Sequence, residues 1–216
     1  MPLYRVRRGN VLESASELTG DILIDGDNCR VRIGAEARIS ASIFIHSTVS
    51  NAIIEIGDNC VLNGVIRLVG GDGGMVRIGE RTTFNDVGIT MHEAGAVTFG
   101  RDCMLSTDVH MDPSDMHPIF DRTTGKRLNP PQDIEIGDHV WLANRVLLLK
   151  GARVGSGTVV GAGAMVVGTL PPNVLAAGSP AKVVRENIVW TRDLHQQPEL
   201  EPAPEPTRRR WRWGRN

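Results

Sequence analysis

Ile136, Leu142, Leu148, Val154, Val160 and Val166 recur at a spacing of six without interruption, and this ladder constrains the fold more than any other feature. A fixed short period marks a repeat architecture in which each unit buries its apolar face only against its neighbours. Six does not suit a helix. At 3.6 residues per turn these side chains would scatter around the cylinder, and Gly137, Gly151, Gly155 and Gly161 in the intervals would each cost about 1 kcal/mol. Short strands joined by corners fit the spacing.

The ladder continues upstream with interruptions, as Ile33, Ile39, Ile45, then Ile56, Leu62, Leu68, then Ile78, Phe84, Thr90, then Phe99, Leu105, Met111. Each set of three rungs reads as one triangular turn of a coil. Four residues after a rung the chain carries small or β-branched residues, among them Ala37, Ile43, Cys60, Ile66, Gly88, Cys103, Val140 and Ala164, which suit a tight second inward slot. One residue after a rung, Gly34, Gly57, Gly79, Gly100, Gly137, Gly155 and Gly161 recur, where glycine turns a corner without steric penalty. Aromatic residues make up only 4% of the chain, as a coil too narrow for rings requires. Cys60 and Cys103 fall in the small inward slot and, with Cys29, are read as packing residues rather than metal ligands or disulfide partners.

At 216 residues the chain is expected to form one domain, 1–184, followed by a short helix over 185–195 and an unfolded tail over 196–216. A net charge of −1 argues against a general polyanion binder and against specific nucleic-acid binding by the body. With no apolar run of about 18 residues and no signal-peptide pattern, a cytoplasmic location is expected.

The largest break in the ladder carries the chemistry. Met111 and Ile136 lie 25 apart, one rung plus 19 residues, and a loop of that length in a compact domain is usually functional or disordered. The extruded segment, about 112–133, holds His117 beside Asp115 and Ser114. A neutral imidazole on a rigidly supported loop is matched to proton transfer near neutral pH.

The run IGDHVWLANRVLLLKGARVGSGTVVGAGAMVVGTLPPNVLAAGSPAKVV, residues 136–184, resembles the hexapeptide-repeat acyltransferases, with GSPAKVV like their closing stretch. The chain is similar to the galactoside and maltose O-acetyltransferase branch and to bacterial polysaccharide O-acetyltransferases, including the polysialic acid type. The resemblance implies a left-handed parallel β-helix, all-β apart from the C-terminal helix. It also implies a catalytic histidine in an extended loop with a Trp 24 residues later, matched by His117 and Trp141. The implied reaction is direct transfer of acetyl from acetyl-CoA to a sugar hydroxyl, with no acyl-enzyme and no metal. His117 would be the general base and Asp115, Glu93 or a backbone carbonyl would hold its second nitrogen. A backbone N–H or the Trp141 indole N–H would meet the oxyanion. For the donor, the resemblance points to Asn144, Ala162, Lys182 and Arg185. Where many relatives carry Thr-Lys this chain has Val167 and Gly168, so Lys150 or Arg145 would replace one phosphate contact. For the acceptor, Asn85 and Glu93 match approximately, and His92 and Asp86 beside them are further candidates to bind it. A homotrimer with active sites between subunits is also implied.

Other classes remain beside this one. A xenobiotic acetyltransferase shares the fold, and a non-catalytic glycan-binding coil needs no base. A zinc hydratase would need three histidines, for which His92, His110 and His117 are the available set, but their spacing departs from the expected phrase. At the end of the chain, TRRRWRWGRN (207–216) interleaves five arginines with Trp211 and Trp213, a pattern suited to an anionic membrane surface or polyanion. It follows a Pro/Glu-rich run that should be extended.

Overall fold

The six-residue ladder folds into short strands separated by corners, stacked as a parallel β-helix. The computed structural model describes residues 2–198, all-β with no helix among them. The Arg/Trp patch at 207–216 and nearly all of the tail expected over 196–216 lie outside the described residues. The first face stacks Arg30–Ile33, Ile53–Ile56, Met75–Ile78, Ala96–Phe99, Ile134–Ile136, Arg153–Val154 and Thr169–Leu170. The second runs from Arg38–Ile39 through the first halves of Val61–Leu68, Thr83–Met91 and Met104–Met111 to Trp141–Leu142, Val159–Val160 and Leu175–Ala177. The third joins Ser42–Ile45, the second halves of the same long strands, Leu147–Leu148 and Met165–Val166. Ile136 pairs with Val154, so one coil there is three hexapeptides.

The expected inward slots are filled almost throughout. The rungs from Ile33 to Val166, Thr90 excepted, and the second-slot residues Ala37, Cys60, Cys103, Val140 and Ala164 are buried in one continuous core. Thr82 and Thr158 are fully buried in the same slot, their hydroxyls donating to the Gly100 and Pro171 carbonyls. One rung is misplaced. Thr90 and Gly88 were expected inward in the third coil, but against Val61–Leu68 the strand Thr83–Met91 carries one extra residue between Phe84 and Val87. One extra residue shifts every later side chain to the opposite side of a strand, so Val87, Ile89 and Met91 enter the core instead and Thr90 faces outward.

The glycine column has a different cause from the one expected. None of Gly34, Gly57, Gly79, Gly100, Gly137 or Gly155 has a positive φ; they are glycine because the next coil's backbone lies against them. A Cβ at Gly79 would stand 2.4 Å from the Gly100 carbonyl oxygen. The left-handed position falls two residues later, at Glu36, Asn59, Arg81, Asp102 and His139. At Asn59, Arg81, Asp102 and His139 the amide N–H donates to the corner one coil back, as from Asn59 to Ala35 and from His139 to Arg101. The three cysteines are free and buried, and burial pushes the Cys103 thiol up to about 11, the setting of an inert packing residue.

The helix expected over 185–195 is absent. Lys182–Arg185 is a strand antiparallel to Leu175–Ala177, after which the chain crosses back over the coils as an irregular strap. Asn187 takes a positive φ of 53°, and the Ile188 N–H donates to Asn173. Tertiary contact decides the conformation: the Trp190 ring stacks on His139 at 4.0 Å, its indole N–H donating to the His139 carbonyl. Arg192 bonds Asp102, Thr83 and the Cys103 carbonyl. Such docking outweighs the few tenths of a kcal/mol per residue that set helix propensity.

Candidate active site

The connection between Met104–Met111 and Ile134–Ile136 carries no named strand. Its distal half is a hairpin-like turn: Phe120 and Arg127 form an antiparallel bridge, and Asp121 Oδ1 accepts the Thr123 and Thr124 amides. Gly125 closes the turn with a φ of 67°.

Its base is fastened to the coils by two charge clusters. Arg127 meets Glu93 through two bonds of 2.7 Å, and the buried Ser114 hydroxyl donates to the same carboxylate at 2.5 Å. Led by the Arg127 hydrogen bonds, these contacts hold the Glu93 carboxyl down at about 2. In the second cluster Asp115 lies 2.6 Å from the Lys150 ammonium and accepts from Asn129 at 2.9 Å, and Lys150 first and Asn129 second lower its carboxyl. Buried Asn129 ties the two limbs together, accepting the Ile119 N–H and donating to the His117 carbonyl.

His117 is therefore fixed through its backbone. Its N–H donates to the Asp115 carbonyl, and Met116 just before it sits at a φ of 63°, an uncommon conformation for a side-chain-bearing residue. The ring is exposed and has no hydrogen bond among the described residues. The pairing of Asp115 with that ring is not made, because Lys150 and Asn129 occupy the carboxylate. Glu93 is likewise engaged, by Arg127 and Ser114.

Beneath the start of the connection, the third face holds a cavity of about 440 Å³ lined by His92, His110, Asp112, Met116, Leu147 and Lys150 among others. His92 Nδ1 lies 2.6 Å from Asp112 Oδ2. Burial pushes the Asp112 carboxyl up, and the His92 hydrogen bond opposes it. His110 pairs separately with Asp108 and lies so close over Gly88 that a Cβ there would be 2.5 Å from its Nδ1. Among the described residues no group of three His, Cys, Asp or Glu side chains is placed to hold a metal ion.

The other expected residues lie elsewhere on the prism. Trp141 is half-buried on the second face, its ring 5.8 Å from Trp190, without contact to His117 among the described residues. Asn144 bonds the Thr107 hydroxyl and accepts the Gly163 N–H on its carbonyl, while Asp86 is level with Thr107. Asn85, Asn144 and Ala162 thus follow the corner edge between the second and third faces. Lys182 pairs with Ala177 at the C-terminal end of the second face, and Lys182 and Arg185 are both exposed. The sequence reading missed Arg127 and Asn129 altogether and gave Lys150 a different task. The loop's lack of period hides them; the one available signal is the pairing of basic residues in the segment with Glu93 and Asp115.

No family model matches the chain. A polysialic acid O-acetyltransferase of Neisseria meningitidis is 36% identical over 185 residues, covering 85% of this chain and 83% of its own length. The chain belongs to the hexapeptide-repeat O-acetyltransferases. A second polysialic acid O-acetyltransferase, from Escherichia coli O1:K1 / APEC, is 41% identical over 139 residues, 64% of this chain, and the match spans only 45% of that longer protein. A crystal structure of a polysialic acid O-acetyltransferase superposes with a TM-score of 0.76 at 32% identity, covering 88% of this chain and 91% of that one.

Proposed function

We propose that this protein moves the acetyl group of acetyl-CoA onto a hydroxyl of a bacterial surface polysaccharide, with His117 as general base. The observation that carries the reading is the fixing of His117: two charge clusters and Asn129 hold its backbone directly after Met116, which lines the third-face cavity. A sugar hydroxyl is a poor nucleophile at neutral pH, and a base that takes its proton as the thioester is attacked contributes about 10²–10⁴ in rate. The indole N–H of Trp141 or a backbone N–H would meet the oxyanion. Asn144 and Ala162 would follow the pantetheine arm along the corner edge, and Lys182 and Arg185 would meet the phosphates.

His117 and Trp141 leave from different faces, which supports a site completed between neighbouring subunits, and we extend the proposal to a homotrimer. The polysialic acid specificity of the relatives supports an anionic sialic acid polymer as the first acceptor to try. The chain would act in the cytoplasm, with the 207–216 patch at the inner membrane face.

The test is mass analysis of the acceptor after incubation with acetyl-CoA, using a polysialic acid oligomer, neutral oligosaccharides and chloramphenicol. An alkali-labile acetyl ester on a glycan is the expected product. Acetylation of chloramphenicol alone would move the assignment to xenobiotic acceptors, and no ester on any acceptor would remove it.

A further inference from the structure

The third-face cavity contains a pair that the transfer step above leaves unused. His92 lies just beyond the end of the strand Thr83–Met91, and Asp112 is the first residue of the long connection. Both line the cavity, with side chains 29% and 18% exposed. Asp112 is held on both oxygens, Oδ2 by His92 and Oδ1 by the Ser114 N–H at 2.9 Å. With the Asp112 carboxyl ionised it can only accept, and the bond between the two is then made by the His92 Nδ1–H, which in the neutral ring leaves a lone pair on Nε2. That tautomer presents an acceptor and repels an anionic oxygen. Met111, Met116, Leu147 and Leu149 line the cavity together with Thr90 and with Asp115 and Lys150, which are already paired with each other.

Neither neighbouring histidine has this setting. His110 uses Nε2 on Asp108, and both of those side chains are more than half exposed, at 61% and 55%. The His117 ring has no partner among the described residues.

We propose that His92, aligned by Asp112, receives a hydroxyl of the acceptor on its Nε2. Acceptor choice would then depend on a second histidine besides the base at 117. The inference rests on the O-acetyl-transfer reading and deepens it. His92 touches the acceptor and Asp112 is a positioning residue. The pair selects a hydroxyl donor and excludes a carboxylate from that subsite, because a lone pair cannot bond an acceptor-only group.

The test uses the full chain, with kinetics and spectroscopy together. For His92→Phe and for Asp112→Asn, kcat/KM for a polysialic acid oligomer should fall about ten- to a hundredfold through the acceptor KM, the cost of leaving buried polar partners unpaired. The KM for acetyl-CoA should stay within about twofold. The double variant should be little worse than the weaker single, as for residues acting as one unit, and Asp112→Glu should recover part of the loss. Losses that multiply, or an acceptor KM untouched in His92→Phe, would overturn the proposal. Long-range ¹H–¹⁵N spectra of histidine-labelled protein should show His92 protonated on Nδ1 and bare on Nε2, with the Nε2 resonance moving when the oligomer is added. The opposite tautomer, or no movement, also overturns it. If the wild type transfers no acetyl while that resonance responds, the transfer reading fails and the hydroxyl-binding pair stands.

Discussion

The first and third faces of the coil are built on the same backbone and bury the same kinds of side chain, yet they carry opposite outward surfaces. Outward positions on the first face align in register as Glu13, Arg32, Glu55, Arg77, Thr98, Glu135 and Arg153. Arg32–Glu13, Arg77–Glu55 and Arg153–Glu135 form ion pairs of 2.8–3.0 Å. This column cancels its own charge and leaves little for a ligand. The third face shows Gly88, Thr90, His110 and Leu147 outward beneath a connection held by Arg127, Glu93, Asp115 and Lys150. A repeat scaffold becomes a site where the repeat is interrupted, and the charges that compensate one another on the first face are spent on holding a loop on the third.

The sharpest way to break this contrast is to remove one arginine from each face. Arg127→Ala frees the return limb of the connection and lets His117 shift, and a misplacement of about 1 Å costs about 10² in rate. Arg77→Ala should leave steady-state kinetics unchanged. Equal losses in the two variants would erase the distinction.

Gly79→Ala tests the scaffold both faces share. Its Cβ would meet the Gly100 carbonyl oxygen at 2.4 Å, and overpacking against a backbone that cannot move should cost about 1–3 kcal/mol in denaturant unfolding. A wild-type midpoint would mean that the coils have room to part.

Acid should loosen the third face selectively. The Glu93 carboxyl is held at about 2 in the folded protein, below its ordinary 4.5, so its contribution is present above the unfolded value and is lost as pH falls from 4.5 toward 2. Thermal melts of wild type and Glu93→Gln should differ at neutral pH and converge over that window. A gap that persists to its lower end would assign the effect to packing. The smallest effect belongs to Arg32→Ala, an exposed pair whose loss should change stability by no more than about 1 kcal/mol.

The coil was legible in the sequence because a period of six repeats over many rungs, and buried rungs such as Leu142 and Val160 need only be aliphatic. Thr90 was misread because one inserted residue between Phe84 and Val87 leaves no trace in composition. His117 and Trp141 stood out through their spacing against known relatives, whereas Arg127 did not: its partner Glu93 is 34 positions away across an aperiodic segment. The strap failed as a helix for a similar reason. Its conformation is set by Trp190 on His139, 51 positions apart, and no local pattern encodes that contact.

The most direct measurement is thiol release from acetyl-CoA in the presence of a polysialic acid oligomer, by wild type and by His117→Ala at equal folded concentration. Glycan-dependent release that collapses by about 10² or more on losing the imidazole is the predicted result. Release that survives the substitution would contradict the account and place the base elsewhere on the third face.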